Sequence, residues 1–276
     1  MRRRRFIQNA GLLAAGSPGL LGAAALRSEE KPASSQSSGS MRKRVLITSA
    51  ESPLAQTLAG ILSQDREVRL TGRTEMHSRF EYVRSTLGHD PTTNQLLKEV
   101  DAIVHVAEPL PGENETQQID YLTRGTYNLL WAASEEGVKR VVFLSTLELM
   151  TAYDESYLVS ESWRPLPSTE PRVLSKHLGE FTCREFAREN KLSVVVLRLG
   201  KVMRASDVAG KAVDPMWVEE RDVASAVVGA LNARLADSAS AVGRWAVFHV
   251  QSDSPKARFG VSSAKSALGF KPQFTW

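Results

Sequence analysis

The sequence predicts an α/β fold in which a doubly wound, mostly parallel sheet carries helices on both faces. The first observation is a short run of β-branched and apolar residues at 45–48, too continuous for a half-exposed strand. The second is a pair of similar runs at 102–106 and 140–145. The third is the segment between that pair, 121–136, whose apolar residues recur with helical spacing. A strand, a helix and a strand in this order predict parallel strands joined by a crossover helix.

The first predicted unit is the strand at 45–48, a tight turn that begins at Ser49, and a helix that starts at Pro53. In a dinucleotide fold this turn has glycines at three fixed places, which permit the bend, close approach to a pyrophosphate, and close packing of helix on strand. The corresponding residues here are Ser49, Ser52 and Ala55. Alanine is accepted at the third place, whereas the two serines depart from the pattern. We therefore expect the strand, turn and helix to form, with a weakened affinity for a nucleotide.

Two side chains of this turn are expected to oppose phosphate binding. Ser52 before Pro53 is a favourable helix start, so the Ser52 hydroxyl is predicted to accept from a helix N–H that would otherwise face a phosphate. Glu51 brings a negative charge within Coulomb reach of a bound pyrophosphate. If a nucleotide does bind, the candidate contacts in this turn are Ser49, Ser52, Pro53 and Leu54.

The second predicted strand, at 68–71, bears on the choice of cofactor. It ends in Gly72 and Arg73, where an NAD-preferring site usually places an acidic residue that binds the ribose hydroxyls. An arginine there accommodates a 2′-phosphate, so Arg73 favours NADP over NAD. A solvated arginine after a strand is the alternative interpretation.

The remaining elements continue the alternation of strands and helices. His105, inside the strand at 102–106, is expected to be a hydrogen-bonded core histidine. The segment from 204 to 217 carries no recognisable motif and is expected to form a small C-terminal substrate-side region. The other predicted elements are strands at 82–85, 194–198 and 246–250 and helices at 94–100, 174–189 and 222–231. Together they predict one three-layer domain over 41–276.

Charge and composition exclude several classes of protein. The formal net charge is +4, and subtracting the four arginines at 2–5 leaves zero, so no nucleic-acid partner is expected. Cys183 is the single cysteine, which excludes an intrachain disulfide. No cluster of Cys, His and carboxylate residues has the spacing of metal ligands, and no metal site is expected.

The first 40 residues differ in composition from the rest. Residues 1–26 contain RRRRFI and an interrupted apolar run, which is typical of a cleaved twin-arginine export signal and too short and broken for a stable membrane span. An uncleaved anchor is an alternative. Residues 27–40, rich in Ser, Glu, Lys and Pro, predict a flexible linker. A genuine start at Met1 implies export to the periplasm, whereas a true start at Met41 implies a cytoplasmic protein.

Five segments follow one another in a characteristic order. They are VDAIVHVAEP at 100–109, GTYNLLWAASEEGVKRVVFLST at 125–146, SKHLGE at 175–180, VVVLRLGKV at 194–202 and ERDVASAVVGAL at 220–231. Each is weak alone, but in this order they resemble the extended and atypical short-chain dehydrogenase/reductases of the NAD-dependent epimerase/dehydratase group. The resemblance covers nearly all of 44–274 and implies a Rossmann-type, NAD(P)-binding domain.

The resemblance implies a Ser or Thr, a Tyr and a Lys that act with a nicotinamide cofactor. In such enzymes the tyrosine exchanges a proton with the substrate, the lysine supports the tyrosine and binds the nicotinamide ribose, and the Ser or Thr orients the substrate oxygen. Thr146 and Lys176 match two of these positions, but the tyrosine position, one helical turn before the lysine, is Arg172. Arginine keeps its proton at ordinary pH and cannot serve as that acid and base. Tyr153 and Tyr157 are the candidates for a replacement.

The resemblance also places the segment after the strand at 102–106 beside the cofactor. His105 and Ala107 are therefore candidate cofactor residues together with Lys176. Glu108 stands where a small residue is common, and Leu122 stands where the family often has an asparagine that supports the site.

Three functions are compatible with these residues. The favoured one is a catalytically silent family member with weak or residual NAD(P) binding, because Glu51, Arg172 and the altered turn all oppose the usual reaction. The first alternative is an active NADP-dependent reductase or epimerase that uses Thr146 and Lys176 on a sugar nucleotide or a small carbonyl compound. The second is an exported interaction protein that binds no nucleotide. A homodimer is compatible with each.

Overall fold

A computed structural model describes residues 42–235, 241–254 and 256–274. The predicted signal at 1–26 and linker at 27–40 lie outside the described residues. In the ranges that are described, every helix is too short or too polar to cross a membrane.

The described strands form one eight-stranded sheet and one two-stranded sheet. The order in the large sheet is β3-β2-β1-β4-β5-β6-β10-β9, and every neighbouring pair is parallel except β10 with β9. The large sheet contains β1 (Arg44–Ile47), β2 (Glu67–Gly72), β3 (Glu81–Arg84), β4 (Ala102–His105), β5 (Arg140–Thr146), β6 (Ser193–Leu199), β9 (Ala241–Val242) and β10 (Trp245–Val250). The small sheet contains β7 (Lys201–Met203) and β8 (Trp217–Glu219). The predicted strands all form, so the predicted doubly wound parallel sheet is confirmed.

Helices cover both faces of the sheet. They are α1 (Pro53–Leu62), α2 (Pro91–Leu96), α3 (Glu115–Asp120), α4 (Thr126–Glu135), α5 (Pro171–Arg188), α6 (Ala205–Val208), α7 (Glu220–Asn232) and α8 (Ser262–Leu268). A π-helical turn, Tyr121–Gly125, joins α3 to α4, and a 3₁₀ turn, Leu147–Met150, follows β5. The helix predicted at 94–100 instead begins at Pro91, because the Asp90 carboxylate accepts hydrogen bonds from the first-turn N–H groups of Thr92 and Thr93.

The hydrophobic core has two layers, one on each face of the sheet. Val45 and Ile47 of β1 face the layer that also contains apolar residues of α1, α7 and α8. Leu46 faces the opposite layer, to which α2, α4 and α5 contribute. Gly179 brings α5 close to the sheet, since a Cβ at this residue would lie 2.6 Å from Cζ of Phe143. This close packing fixes the part of α5 that carries Arg172 and Lys176.

The strand order creates a crevice at one edge of the sheet. From β1 the chain proceeds outward to β2 and β3, and it then returns to the other side of β1 to form β4. The connections after β1 and β4 therefore leave in opposite directions. In sheets of this kind a ligand binds at this topological switch point, beyond the carboxyl ends of the strands.

Candidate functional site

A cleft of about 560 Å³ opens at the carboxyl ends of β1, β4, β5 and β6. One wall is the start of α1 with the turn before it, and the opposite wall is the segment from β6 through β7 to α6. The loop after β4 and the end of β5 form its floor. Glu108, Thr146, Glu148 and Arg172 contribute side chains to this cleft. The sheet thus brings the predicted nucleotide turn and the predicted catalytic positions to one place.

Ser49, at the first glycine place, joins the turn to the loop after β4. Its backbone has a φ of +53°, in the left-handed region that favours glycine, which explains why a glycine is usual here. The buried hydroxyl accepts a hydrogen bond from Glu108 N at 3.0 Å and donates to Glu108 O at 3.3 Å. The Ser49 hydroxyl therefore hydrogen-bonds to the backbone of the loop after β4.

Ser52 does not cap α1 in the predicted way. Its backbone is extended, with φ −72° and ψ 135°, and its side chain makes no capping hydrogen bond. The prediction that its hydroxyl occupies a first-turn N–H is wrong, because the side chain does not turn back over the helix. Ser52, Pro53 and Leu54 all line the cleft. Since first-turn N–H groups have no partner within a helix, the positive end of α1 faces the cleft.

Glu51 is directed toward the end of β2. Its Oε1 accepts hydrogen bonds from Arg73 N at 2.5 Å, Thr74 N at 2.9 Å and Thr74 Oγ1 at 3.1 Å. Its Oε2 is buried and has no hydrogen-bond partner. The carboxylate thus fastens the segment after β2 to the turn after β1.

Arg73 is enclosed by protein groups. Its Nη1 pairs with the carboxylate of Glu113, and both side chains are largely buried. Its guanidinium lies 3.6 Å from the ring centroid of Tyr121, and Nη2 donates to Glu108 O at 3.2 Å. The alternative of a solvated arginine is excluded by these contacts, and the charge expected to attract a 2′-phosphate is already paired.

His105 is a fully buried histidine between two threonines. Its Nδ1 lies 2.8 Å from Thr48 Oγ1 and its Nε2 lies 2.9 Å from Thr126 Oγ1. Burial, with a smaller contribution from the charge of Lys176, lowers the pKa of His105 to about 3. The expectation of a hydrogen-bonded core histidine is confirmed. Ala107, two residues later, is also buried and has a φ of +52°, so it turns the chain toward Glu108.

Thr146 and Arg172 meet at a residue that the sequence analysis missed. The hydroxyl of Thr146 accepts a hydrogen bond from Glu148 N at 3.1 Å and donates to Glu148 Oε2 at 3.3 Å. The same Glu148 oxygen pairs with Nη2 of Arg172. The place expected for a Thr and Tyr pair therefore holds a threonine, a carboxylate and a guanidinium. The signal for Glu148 was its position two residues after Thr146, at the carboxyl end of β5.

Lys176 is buried beneath the floor of the cleft, with a side chain only 1% exposed. Its Nζ donates to Val106 O at 2.8 Å and to Leu144 O at 2.7 Å, and it lies 3.1 Å from Glu108 Oε1. Burial lowers the pKa of Lys176, and the charge of Glu108 acts in the opposite direction. A lysine ammonium has three N–H donors, so these three contacts account for all of them.

Tyr153 and Tyr157 do not take the place of the missing tyrosine. The Tyr153 hydroxyl donates to Arg164 O at 2.6 Å, and its ring packs edge-on against Trp163. Tyr157 also packs against Trp163 and is half-exposed. Neither tyrosine is among the described residues that line the cleft.

Among the residues that the structure describes, no group of three or more His, Cys, Asp or Glu side chains is placed to hold a metal ion. Cys183 is fully buried, and burial raises the pKa of its thiol, so it serves as a core residue.

Fold and cleft together define a Rossmann-type protein with a ligand crevice at its switch point. The chain belongs to the NAD dependent epimerase/dehydratase family, whose model matches residues 55–213. This confirms the resemblance seen in the sequence motifs.

Comparisons with known proteins give relatives that align with most of this chain. The chain is 25% identical to the uncharacterized protein YtbQ of Bacillus subtilis (strain 168), over 84% of this chain and 94% of that protein. It is 24% identical to the L-arabinose 1-dehydrogenase (NAD(P)(+)) of Haloferax volcanii, over 83% of this chain and 96% of that protein. These similarities extend well beyond the matched family segment.

Solved structures share the fold. Uronate dehydrogenase from Agrobacterium tumefaciens aligns with a TM-score of 0.71 and 21% identity, covering 84% of this chain and 85% of that one. MoeE5 in complex with UDP-glucuronic acid and NAD aligns with a TM-score of 0.68 and 21% identity, covering 84% and 94%. At this level of identity the alignments establish the architecture alone.

Proposed function

We propose that this protein is a nucleotide-binding member of its family that has lost the usual hydride-transfer chemistry. The observation that carries the proposal is that the two cationic side chains at the catalytic positions, Lys176 and Arg172, already have partners within the protein. Lys176 is paired with Glu108 and two backbone carbonyls, and Arg172, in the place of the proton donor, is paired with Glu148. Both cations are thus engaged by the protein itself.

The phosphate end of the cleft fits a dinucleotide. The start of α1 presents its positive end and its first-turn N–H groups beside Ser52, Pro53 and Leu54. The Ser52 hydroxyl, which makes no capping hydrogen bond, can donate to a phosphate oxygen. A diphosphate therefore meets the positive end of α1 and hydrogen-bond donors here, while the carboxylate of Glu51 accepts from Arg73 N and Thr74 N.

The opposite end fits a nicotinamide ribose poorly. The family resemblance assigns the contact with that ribose to Lys176, whose three N–H donors are already used. A bound NAD or NADP would supply a hydride acceptor or donor at its nicotinamide. The tyrosine that moves the proton with that hydride in the family is replaced by Arg172, which keeps its proton at any ordinary pH.

The direct test is calorimetric titration of the full chain with NADH, NADPH and ADP, together with nicotinamide turnover on aldoses, uronates and nucleotide sugars. We expect binding without turnover. Nicotinamide turnover on any of these substrates would overturn the proposal.

A variant shows whether the binding site is the one proposed. Ser52→Glu places a carboxylate at the start of α1 and should abolish nucleotide binding by repulsion. Gln64→Glu adds the same charge at an exposed residue beyond the end of α1 and is the matched control. Equal effects of the two substitutions would contradict the location.

An active NADP- or NAD-dependent reductase or epimerase is the second candidate. Thr146 remains at the end of β5, and a carboxylate, Glu148, lies beside it in the cleft, so a sugar hydroxyl or small carbonyl compound could meet polar groups there. Relatives of similar length are named as sugar dehydrogenases. Turnover in the assay above would support this candidate. The absence of heat with millimolar ligand would instead favour an interaction protein that binds no nucleotide.

We also propose the division of the chain into an export signal at 1–26, a linker at 27–40 and an NAD(P)-binding domain at 41–276. The sequence pattern supports this division. N-terminal sequencing of the protein purified from its own cell envelope and cytosol tests it. A mature N-terminus near residue 26 in the periplasm is the expected result, and a cytoplasmic protein that starts at Met41 would contradict it.

A homodimer has a suitable surface on α5. Leu178 and Phe181, one turn apart, are 42% and 52% exposed, and Ile119 and Tyr127 on the neighbouring helices are also exposed. We propose that a second copy covers this surface. Sedimentation of the native chain and of Phe181→Glu should show a dimer and a monomer, respectively; a monomeric native chain would contradict this proposal.

A further inference from the structure

We infer that the cleft selects a nucleotide whose ribose has a free 2′-hydroxyl, and that Glu51 is the residue that selects it. This inference rests on the proposed nucleotide-binding function. It is the opposite of the NADP preference expected from Arg73, and it assigns the choice of ligand to a residue in a different loop.

The carboxylate of Glu51 occupies the space of a side chain at residue 72. Gly72 is the last residue of β2, and a Cβ built on it would lie 2.7 Å from Cδ and from both carboxylate oxygens of Glu51. In NAD-preferring folds an acidic side chain near this strand end binds the ribose hydroxyls. Glu51 therefore supplies from the turn after β1 the charge that β2 lacks.

The two oxygens of this carboxylate have different surroundings. Oε1 accepts hydrogen bonds from Arg73 N, Thr74 N and Thr74 Oγ1, which fix its position. Oε2 is buried and accepts none. A buried acceptor without a donor is costly. Because Glu51 lines the cleft, a ribose hydroxyl that reaches this oxygen would supply the donor that it lacks. A fully ionised phosphate at the same position has only acceptor oxygens, so it would leave this Glu51 oxygen without a hydrogen-bond donor.

The nearby charges also oppose a 2′-phosphate. Arg73 is the cation at this strand end, but its guanidinium pairs with Glu113 and lies on the Tyr121 ring. The charges of Glu51, Glu113 and Arg73 sum to −1. A dianionic 2′-phosphate would approach a site of its own sign, whereas a neutral hydroxyl would not.

The test compares three ligands by calorimetry on the full chain: ADP, 2′-deoxy-ADP and ADP that carries a 2′-phosphate. We expect ADP to bind roughly ten-fold or more tightly than either of the others, the size of one hydrogen bond to a charged group. Equal binding of all three would overturn the inference and leave the proposed function intact. No binding by any of the three would overturn both.

Two substitutions identify the selecting residues. Glu51→Gln should weaken ADP binding about ten-fold and change 2′-deoxy-ADP binding less, because only ADP offers a 2′-hydroxyl to this carboxylate. Glu113→Gln should raise the affinity for the 2′-phosphorylated ligand by releasing the charge of Arg73. Glu115→Gln, an exposed acid two residues further on, is the matched control and should change neither affinity.

The outcomes separate ligand recognition from a structural role. If Glu51→Gln weakens ADP and 2′-deoxy-ADP equally, Glu51 only supports the loop and the inference is wrong. Circular dichroism checks the fold of each variant. If Glu51→Gln does not fold, Glu51→Asp keeps the charge but withdraws it by one methylene, and the same loss of preference for ADP over 2′-deoxy-ADP is expected.

Discussion

The charged groups at the two ends of the cleft differ in whether they already have partners within the protein. At the β1–α1 end, the start of the helix faces the cleft and the Ser52 side chain leaves the first turn uncapped. At the β5–α5 end, Lys176 and Arg172 are both paired with protein carboxylates. An anion can still be attracted at the first end, whereas the cations of the second end already have their counter-charges. The proposal that binding and chemistry are separated in this protein rests on this contrast.

The most severe test of this contrast is to remove the buried lysine. Lys176→Met should lower the free energy of unfolding by about 3–5 kcal/mol, because Glu108, Val106 O and Leu144 O lose their shared partner in a buried place. Urea denaturation measures this loss. Lys98→Met, at an exposed lysine, is the control and should cost less than about 0.5 kcal/mol. A small loss at Lys176 would mean that the lysine is free to bind a ligand.

Lowering the pH should reduce the free energy of unfolding to a similar extent through one buried histidine near each end of the cleft. His105, beside β1, and His249, on the strand next to β6, each have a pKa lowered to about 3, chiefly by burial, against an ordinary 6.5. Between these values the unfolded chain binds more protons, so stability falls as the pH falls from 6.5 toward 3. At pH 5 each histidine should cost about 2 kcal/mol relative to neutral pH.

Urea denaturation at pH 7 and pH 5 measures this dependence. Protonation of these two histidines should lower the free energy of unfolding between pH 7 and pH 5. His105→Gln and His249→Gln should each remove about half of that loss. If only one substitution reduces the acid sensitivity, the two ends do not share this property and the comparison must be revised.

A smaller effect should follow from releasing Lys176 instead of deleting it. Glu108→Ala removes its carboxylate partner and returns one N–H donor to the cleft, so NAD should gain affinity relative to ADP by roughly ten-fold through a contact with the second ribose. Calorimetry with both ligands gives this ratio. Glu155→Ala, at an exposed acid outside the cleft, is the control. An unchanged ratio would show that the nicotinamide end is closed for another reason.

The smallest effect is expected at Ser52. Ser52→Gly should change the free energy of unfolding by only a few tenths of a kcal/mol, since the side chain makes no capping hydrogen bond. Nucleotide affinity should change by less than about three-fold, because a glycine lets the backbone approach the phosphate closely and so offsets the lost hydroxyl contact. A large gain in affinity on calorimetric titration would show that the serine obstructs the phosphate, as the sequence alone had suggested.

Much of the fold could be predicted from short stretches of sequence. The buried runs at 45–48, 102–106 and 140–145 became β1, β4 and β5, because an apolar and β-branched run between turn residues has few alternatives to a buried strand. The helix start at Pro91 was missed, since it depends on the side-chain cap from Asp90 and not on apolar spacing. The π turn before α4 likewise leaves no sign in the periodicity of the apolar residues.

The candidate site was predicted less completely. Thr146, Arg172 and Lys176 could be placed because the resemblance to the family assigns its catalytic positions to them. The partners Glu108, Glu113 and Glu148 lie in other elements, and Arg73 meets Glu113 across 40 residues of sequence. Arg73, predicted to accommodate a 2′-phosphate or else to be solvated, therefore lies beside an acid and an aromatic ring that no local pattern connects to it.

The sequence by itself determined the alternation of buried strands and helices, the turn without its glycines and the arginine in place of the tyrosine. These properties belong to single residues or to neighbours along the chain, and local sterics and burial are sufficient to specify them. Only the tertiary structure decided that Lys176 has no donor left, that Arg73 is neutralised and that Glu51 fills the space above Gly72. Those outcomes depend on which strands lie side by side, because ion pairs and buried hydrogen bonds form between side chains that the sheet order brings within a few ångströms.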